Sequence, residues 1–259
     1  MSTDDVKWPE GLASNTICFS VDEEWAAGAV LDDVRTLFDS SGITATFFVA
    51  QERVHVPGHE RGIHPNFRRD GDSYRLLDNA GSKSDGEILS HIVKRTMSFA
   101  PEAKGVRSHS LHYDSTLLPV YERFGIEYDS SYRMPLVTTL RPFWIQNNVL
   151  EIPTFYADYF DIVAGATGFD ARRLKLDQPG LKVFDFHPNL IYLNAKDEET
   201  YRSTKSYYRD PDRLLASRYR GRGVRTLLLE ILEIITTRKI PTMTLGTVNQ
   251  LWRSVPRVY

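Results

Sequence analysis

Hydrophobic and polar positions along the chain fall into two periods. An apolar stretch at residues 16–21 predicts a strand that runs into Asp22-Glu23-Glu24. Leu31, Val34, Leu37 and Phe38 then recur at helical spacing and predict a helix over residues 29–40, with Gly42 as its C-terminal stop. Residues 44–50 are β-branched and aromatic and predict a second strand. A polar stretch with Pro and Gly follows over residues 55–86, then a helix over residues 85–99. Short strands are expected at residues 105–107 and 126–128, on either side of a helix at 113–124 that Gly125 ends. Further strands are expected at 149–153, 182–186 and 241–245, with helices at 222–237 and 247–252. Strands alternating with helices imply βαβ units around a mostly parallel sheet. Chemistry in such folds gathers at the C-terminal ends of the strands. The polar clusters Asp22-Glu23-Glu24, Arg107-Ser108-His109 and His187 fall at those ends.

Composition narrows the function classes. The chain has 259 residues, 41% hydrophobic, 25% charged and 12% aromatic, with a net charge of −2. That profile is globular, and a length of this order suits one α/β domain over residues 1–259. A globally basic nucleic-acid binder is excluded. The single cysteine, Cys18, rules out a disulfide framework or a Cys-rich zinc module. No apolar run approaches the ~20 residues of a membrane helix. The acidic start MSTDDVKWPEG has no signal-type apolar segment, so the expected location is the cytoplasm. No internal repeat, G-x-S-x-G elbow, phosphate loop or dinucleotide fingerprint is present.

Four constellations remain. Three successive carboxylates at 22–24 repel one another unless a cation offsets them, although acids also gather at solvated helix starts. Strand alternation puts Asp22 and Glu24 on one face and Glu23 on the other. His64, in Gly58-His59-Glu60-Arg61-Gly62-Ile63-His64, is either a metal ligand or a hydrogen-bonded structural residue. His55 and His59 are separated by Pro57 and Gly58 and do not form a helical metal clip. Arg107, in Gly105-Val106-Arg107-Ser108-His109, can hold a carboxylate ionised or lie on the surface. His187, delivered by Phe184-Asp185-Phe186 and followed by Pro188, can serve as a general acid or base or as a core histidine.

Taken in order, these segments resemble the NodB-type polysaccharide deacetylases, carbohydrate esterase family 4. The acidic strand end at Asp22, then Ala45-Thr46-Phe47-Phe48-Val49, Gly58 to His64, Gly105-Val106-Arg107, Gly125-Ile126-Glu127-Tyr128-Asp129-Ser130-Ser131 and Phe186-His187-Pro188 follow the family's motifs over residues 15–245. The chain is most similar to a divergent branch found with O-antigen and other surface-polysaccharide loci. The resemblance implies a distorted (β/α) barrel of seven parallel strands that removes an acyl group, N-acetyl in the first place, from a carbohydrate.

By the same resemblance Asp22 is the general base, Arg107 tethers that base, and His187 protonates the leaving group. Glu24 (or Glu23) and His64 are metal ligands, with Zn²⁺ the expected ion. The family's second metal histidine falls at Arg68 here. His109, which stands in the place of the family's proline after Arg107, is the expected substitute, ahead of His112. A non-catalytic glycan-binding descendant and a metal-free hydrolase of cyclic amides remain open as rivals.

One stretch lies outside these motifs. Arg202, Lys205, Arg209, Arg213, Arg218, Arg220, Arg222 and Arg225 are interleaved with Tyr201, Tyr207, Tyr208 and Tyr219. Such a run is either a solvated face or a site for a phosphate or carboxylate carried by the sugar, to which arginine forks are matched. Arg218, Arg220 and Arg222 are the residues expected to bind it.

Overall fold

In the computed structural model, which describes residues 8–52, 54–71, 74–75, 84–146, 148–165 and 168–257, the expected apolar runs become neighbouring parallel strands. They are β1 (Ile17–Asp22), β2 (Ala45–Val49), β3 (Glu60–Ile63), β4 (Gly105–Val106), β5 (Tyr128–Asp129), β6 (Phe143–Trp144), β7 (Leu150–Glu151), β8 (Thr154–Ala157) and β9 (Lys182–Phe186). Their order in the sheet is β6-β7-β5-β4-β3-β2-β1-β9-β8. Every pairing is parallel except that of β6 with β7.

The sheet is a curled, distorted (β/α) barrel, with nine strands among the described residues rather than seven. Three strands, β3, β6 and β8, are additional to those expected, and the one expected at 241–245 is reduced to a bridge. Pro153 lacks an N–H and splits one extended run into β7, which pairs with β5, and β8, which pairs with β9. The antiparallel β6 is an added edge strand. Because β7 and β8 are consecutive, the chain over 150–157 touches both ends of the parallel array. Arg133, just after β5, bridges Thr154 of β8 and curls the sheet further.

Period-two alternation sorts each strand between two cores. Ile17, Phe19 and Val21 face outward into a large apolar layer, with Phe47, Val49, Ile63, Val106, Phe184 and Phe186. Helices α1 (Gly28–Ser40), α2 (Asp85–Met97), α3 (Leu118–Arg123) and, further along, α8 (Val224–Arg238) cover that layer. Between them in the chain come the short helices α4 (Asp158–Val163), α5 (Pro188–Leu193), α6 (Glu198–Arg202) and α7 (Pro211–Ala216). The opposite face carries Cys18, Phe48, Tyr128, Leu150 and Val183, which form a second apolar cluster with Leu245, Val248 and Trp252 of the last helix, α9 (Leu245–Arg253). Two glycines make this interior possible. A Cβ on Gly105 would lie 1.9 Å from the Tyr128 ring, and one on Gly62 would lie 2.5 Å from that of Phe48.

The expected strand at 241–245 is not formed. Only Thr242 bridges Ile17 there, and α9 begins at Leu245. Its first amides are taken by inward side chains: Leu245 N–H donates to Thr46 Oγ1 (3.0 Å) and Gly246 N–H to Glu60 Oε2 (2.8 Å). Glu60 and the neighbouring His59, which accepts from Ala45 N–H, are therefore structural. The polar stretch expected at 55–86 hides β3, whose Glu-Arg-Gly-Ile sequence has no strand signature. Among the described residues no helix is long and apolar enough to cross a membrane. The acidic start at residues 1–7 lies outside the described residues.

Candidate active site

The inward face of the sheet turns from apolar to charged toward the C-terminal ends of its strands. Asp22 ends β1, Asp185 lies in β9, and Arg107 follows β4, all of them buried. The Arg107 guanidinium joins the three strands. Its Nη1 donates to Ser20 Oγ (2.6 Å), Asp22 Oδ1 (3.1 Å) and Asp185 Oδ1 (2.8 Å). Nε donates to the Ser130 carbonyl and Nη2 to Ser130 Oγ, each at 2.9 Å, and the group lies 4.6 Å from the centre of the Phe48 ring. Burial works against this cation, but Asp185 and Asp22 more than offset it and raise its pKa further. Burial lifts Asp185 well above the usual carboxylate range, with Arg107 opposing the lift and Asp22 adding to it.

Asp185 was not singled out by sequence. The signal was present: it is two residues before His187 in a strand, so the two side chains share a face.

Glu24 reaches the same space by a different route from the one expected. The strand stops at Asp22, and Glu24 (φ 44°) and Trp25 (φ 61°) adopt left-handed backbone that turns the chain back. Such positions cost about 1–3 kcal/mol each for non-glycine residues and gather at functional sites. Glu23 turns the other way. Its carboxylate accepts from Ala50 N–H (3.1 Å) and from the Gln51 side-chain amide. Burial pushes Glu23 up to about 7 despite those bonds.

Three nitrogen and oxygen donors converge beside Asp22. His109 Nδ1 lies 3.2 Å from Glu24 Oε1 and 3.3 Å from His64 Nε2. The ligand atoms of Glu24, His64 and His109 all lie within 4.8 Å of one another, an arrangement that could hold a metal ion. His64 is carried by the end of β3, where its N–H donates to Val49 O (2.8 Å). Its Nδ1 is buried without a hydrogen-bond partner, 3.8 Å from Asp22 Oδ2. Burial pushes this imidazole down to about 4, so it is neutral near pH 7. His109 sits in a tight turn in which Ser110 and Leu111 have φ of 59° and 51°.

His187 closes the cavity. Its Nδ1 lies 2.6 Å from Asp158 Oδ1, its backbone N–H donates to Asp158 Oδ2 (2.9 Å), and its Nε2 lies 3.6 Å from Glu24 Oε1. Burial disfavours the imidazolium, but Asp158 and Glu24 outweigh it and raise His187 well above its ordinary value. Burial likewise lifts Asp158, with His187 opposing. For Glu24, burial is outweighed by His187 and His109, which hold the carboxyl well below its usual range. Asp158 was also missed. It lies 29 residues before His187, and nothing in the chain pattern links the two.

The structure thus brings Asp22, Glu24, His109 and His187 to one cavity of about 430 Å³, with Arg107 and His64 buried against Asp22. Arg68 lies on its rim, exposed and held bidentately by Asp70 (2.9 and 2.8 Å). His112 packs its ring against Phe67 instead. The basic stretch contributes Tyr201 and Lys205 to the cavity, but not Arg218, Arg220 and Arg222. Arg218 donates to Tyr192 O and stacks on the Tyr192 ring, and Arg222 donates to Gly168 O and pairs with Glu230 (2.5 Å). Arg220 lines a separate surface hollow. The expected anion role for these three is corrected accordingly: two are engaged in internal contacts, and none faces the cavity.

The profile of a protein family described as WbmS-like polysaccharide deacetylase matches residues 19–205, a span that holds every site residue named above. The chain belongs to the WbmS-like polysaccharide deacetylases. No curated protein sequence matches it. Among solved structures, this WbmS-like chain is similar to a Bordetella bronchiseptica protein described as a polysaccharide deacetylase involved in O-antigen biosynthesis. The two share 27% identity with a TM-score of 0.73, over 85% of this chain and 91% of that one. A polysaccharide deacetylase from Mycobacterium smegmatis has the same fold at 15% identity, with a TM-score of 0.60 over 98% of this chain and 96% of that one.

Proposed function

We propose that this WbmS-like chain hydrolyses an N-acetyl group from a carbohydrate used in surface-polysaccharide assembly, and that Glu24, His64 and His109 hold a divalent cation for the reaction. The observation that carries the reading is the convergence of two imidazoles and one carboxylate beside Asp22. Donors at ~2.0–2.2 Å from a tetrahedral zinc ion stand about 3.3–3.6 Å apart, and the separations of 3.2 and 3.3 Å around His109 Nδ1 are close to that spacing. The nitrogen-rich donor set suits Zn²⁺. Asp22, Asp185 and His187 form a second group of donors within 4.8 Å. Its two carboxylates already share the Arg107 cation, so the first group is the better cation site.

When bound, the cation supplies Lewis-acid polarisation of the acyl carbonyl and lowers the pKa of water. The protein groups do the rest. Asp22, with one oxygen on Arg107, accepts the proton of the attacking water as general base. Arg107 offers that carboxylate a buried cation and holds it oriented during the attack. His187 is held as imidazolium by Asp158 and delivers its proton to the departing amine nitrogen. The two-group mechanism requires base and acid to hold opposite protonation states in one cavity.

The test is acetate release from N-acetylated sugars and sugar nucleotides. The reading expects release by the wild-type chain, loss on chelation with return on adding Zn²⁺, and loss in Asp22→Asn. Release that survives both chelation and Asp22→Asn would exclude the mechanism, and an inert, folded, metal-loaded chain would favour a glycan-binding descendant.

A further inference from the structure

One wall of the catalytic cavity is aromatic. Phe160, Tyr159 and Tyr201 all line it, and their rings touch in sequence, at 6.1 Å from Phe160 to Tyr159 and 6.2 Å from Tyr159 to Tyr201. A cation stands at each end of this row, Lys205 among the residues that line the cavity and Arg133 outside that lining, against Phe160. The Arg133 guanidinium lies 4.0 Å from the centre of the Phe160 ring, and Lys205 Nζ lies 5.1 Å from that of Tyr201. Neither has a carboxylate partner among the described residues. That contrasts with Arg68 at the rim, which Asp70 holds, and with Arg107 on the floor, which two aspartates hold.

We propose that the cavity takes a sugar bearing an anionic group, a carboxylate or a phosphate, which Arg133 and Lys205 bind from the two ends of the aromatic wall. This deepens the functional reading above, since it rests on a carbohydrate occupying the cavity.

Three physical points carry the proposal. First, aromatic faces suit the apolar face of a sugar ring, while a flanking cation suits a charged substituent on it. Second, Arg133 is half-buried and its Nε is buried with no hydrogen-bond partner. A buried donor left unmade costs about 1–3 kcal/mol, and an arriving anion would relieve the charge of the same group. Burial also pushes this guanidinium down, as expected of a cation lacking a counter-charge. Third, the carboxylates deeper in the cavity already have partners, Asp22 and Asp185 in Arg107 and Glu24 in His109 and His187. The wall cations therefore remain available to an external anion. Arginine offers a planar fork that matches either oxyanion, and lysine a point charge.

Calorimetric titration with three probes tests this. Tetra-N-acetylchitotetraose (chitotetraose below) is neutral, a hyaluronan tetrasaccharide carries carboxylates, and UDP-N-acetylglucosamine carries phosphates. At low salt the wild-type chain should bind at least one charged probe about tenfold or more tightly than chitotetraose, the scale of one charge-assisted hydrogen bond. Which charged probe gains distinguishes carboxylate from phosphate. The ratio should fall by about tenfold in Arg133→Gln and in the exposed-site variant Lys205→Gln. It should be largely kept in Arg133→Lys, and it should shrink with salt where the contact is exposed. A wild-type chain with no preference for either charged probe overturns the proposal, as do both glutamine variants keeping the wild-type ratio. Preference without acetate release from any probe would support the anion site while counting against the hydrolase reading. Acetate release with no charge preference would do the reverse.

Discussion

The two halves of the cavity are built by opposite means. The half on β1, β4 and β9 consists of charges held by charges, with Asp22, Asp185 and Arg107 all buried and fixed by adjacent parallel strands. The other half, from residues 158–160, 187 and 201–205, sets the ion pair of His187 with Asp158 beside a row of aromatic rings on short helices and their connections. A sheet holds its inward positions rigidly, so the first half suits proton transfer, which fails if groups move by a fraction of an ångström. Short helices and turns at the surface suit recognition, because their side chains can change without disturbing the sheet.

Removing Arg107 should break the first half most completely. Arg107→Met leaves Asp22 and Asp185 buried without their cation, so we expect a loss of about 3–5 kcal/mol in denaturant unfolding, the range for orphaning one side of a buried ion pair, together with loss of activity. Asp22→Asn should spare the fold and lower kcat by roughly 10²–10⁴-fold. His187→Ala should cost the same range through the other half. If Arg107→Met melts like the wild-type chain, the strand-borne half is not held as described.

Asp158→Asn separates proton delivery from mere shape. Asp158 is a major cause of the raised His187 pKa, so its loss lowers that pKa and moves the high-pH limb of kcat/KM downward. The fall in kcat should be smaller than that of His187→Ala. The ion pair's contribution to stability is fully present below the ordinary imidazole value near 6.5 and fades as pH rises through the raised folded value. The variant's stability should therefore approach that of the wild-type chain at high pH. An unmoved limb would remove Asp158 from the proton path.

The smallest effect concerns the charge behind the strand ends. Asp129 and Glu151 stand opposite each other on β5 and β7, and Glu151 Oε2 has no hydrogen-bond partner. Burial, then Asp129, raises Glu151 well above the carboxylate range, and burial pushes Asp129 up to about 6. Groups raised in this way favour the native state at low pH and lose that contribution as pH climbs above the unfolded carboxylate value. Glu151→Gln keeps an acceptor for Tyr132 N–H and should gain stability at pH 8 relative to pH 5, by roughly 1 kcal/mol or more for each unit of pKa shift removed. Parallel pH dependence in variant and wild type would place the charge elsewhere.

The same division governs what the sequence revealed. The strand 182–186 coincides with β9, and the helices begun at 29 and 85 lie within one residue of α1 and α2 at their starts, because strong periodicity leaves few alternatives. Asp22, His64 and Arg107 were legible because each ends a strand, and Asp185 should have been, by alternation from His187. Glu24 was named for the wrong reason: a left-handed turn, not strand pleat, points it inward. Asp158 and the aromatic wall were illegible, since tertiary contacts rather than local pattern bring 133, 158–160, 187 and 201–205 together. The strand expected at 241–245 shrinks to one bridge, Thr242 with Ile17, because α9 begins at Leu245, whose amide goes to Thr46.

Anomalous diffraction from crystals grown with Zn²⁺, recorded on both sides of the zinc edge, tests the central claim most directly. The account predicts one peak within ~2.0–2.2 Å of a Glu24 oxygen and one nitrogen each of His64 and His109, absent in His109→Ala and retained in Arg68→Ala. A peak among Asp22, Asp185 and His187 instead, or none at the Glu24 group in well-ordered crystals, would contradict it.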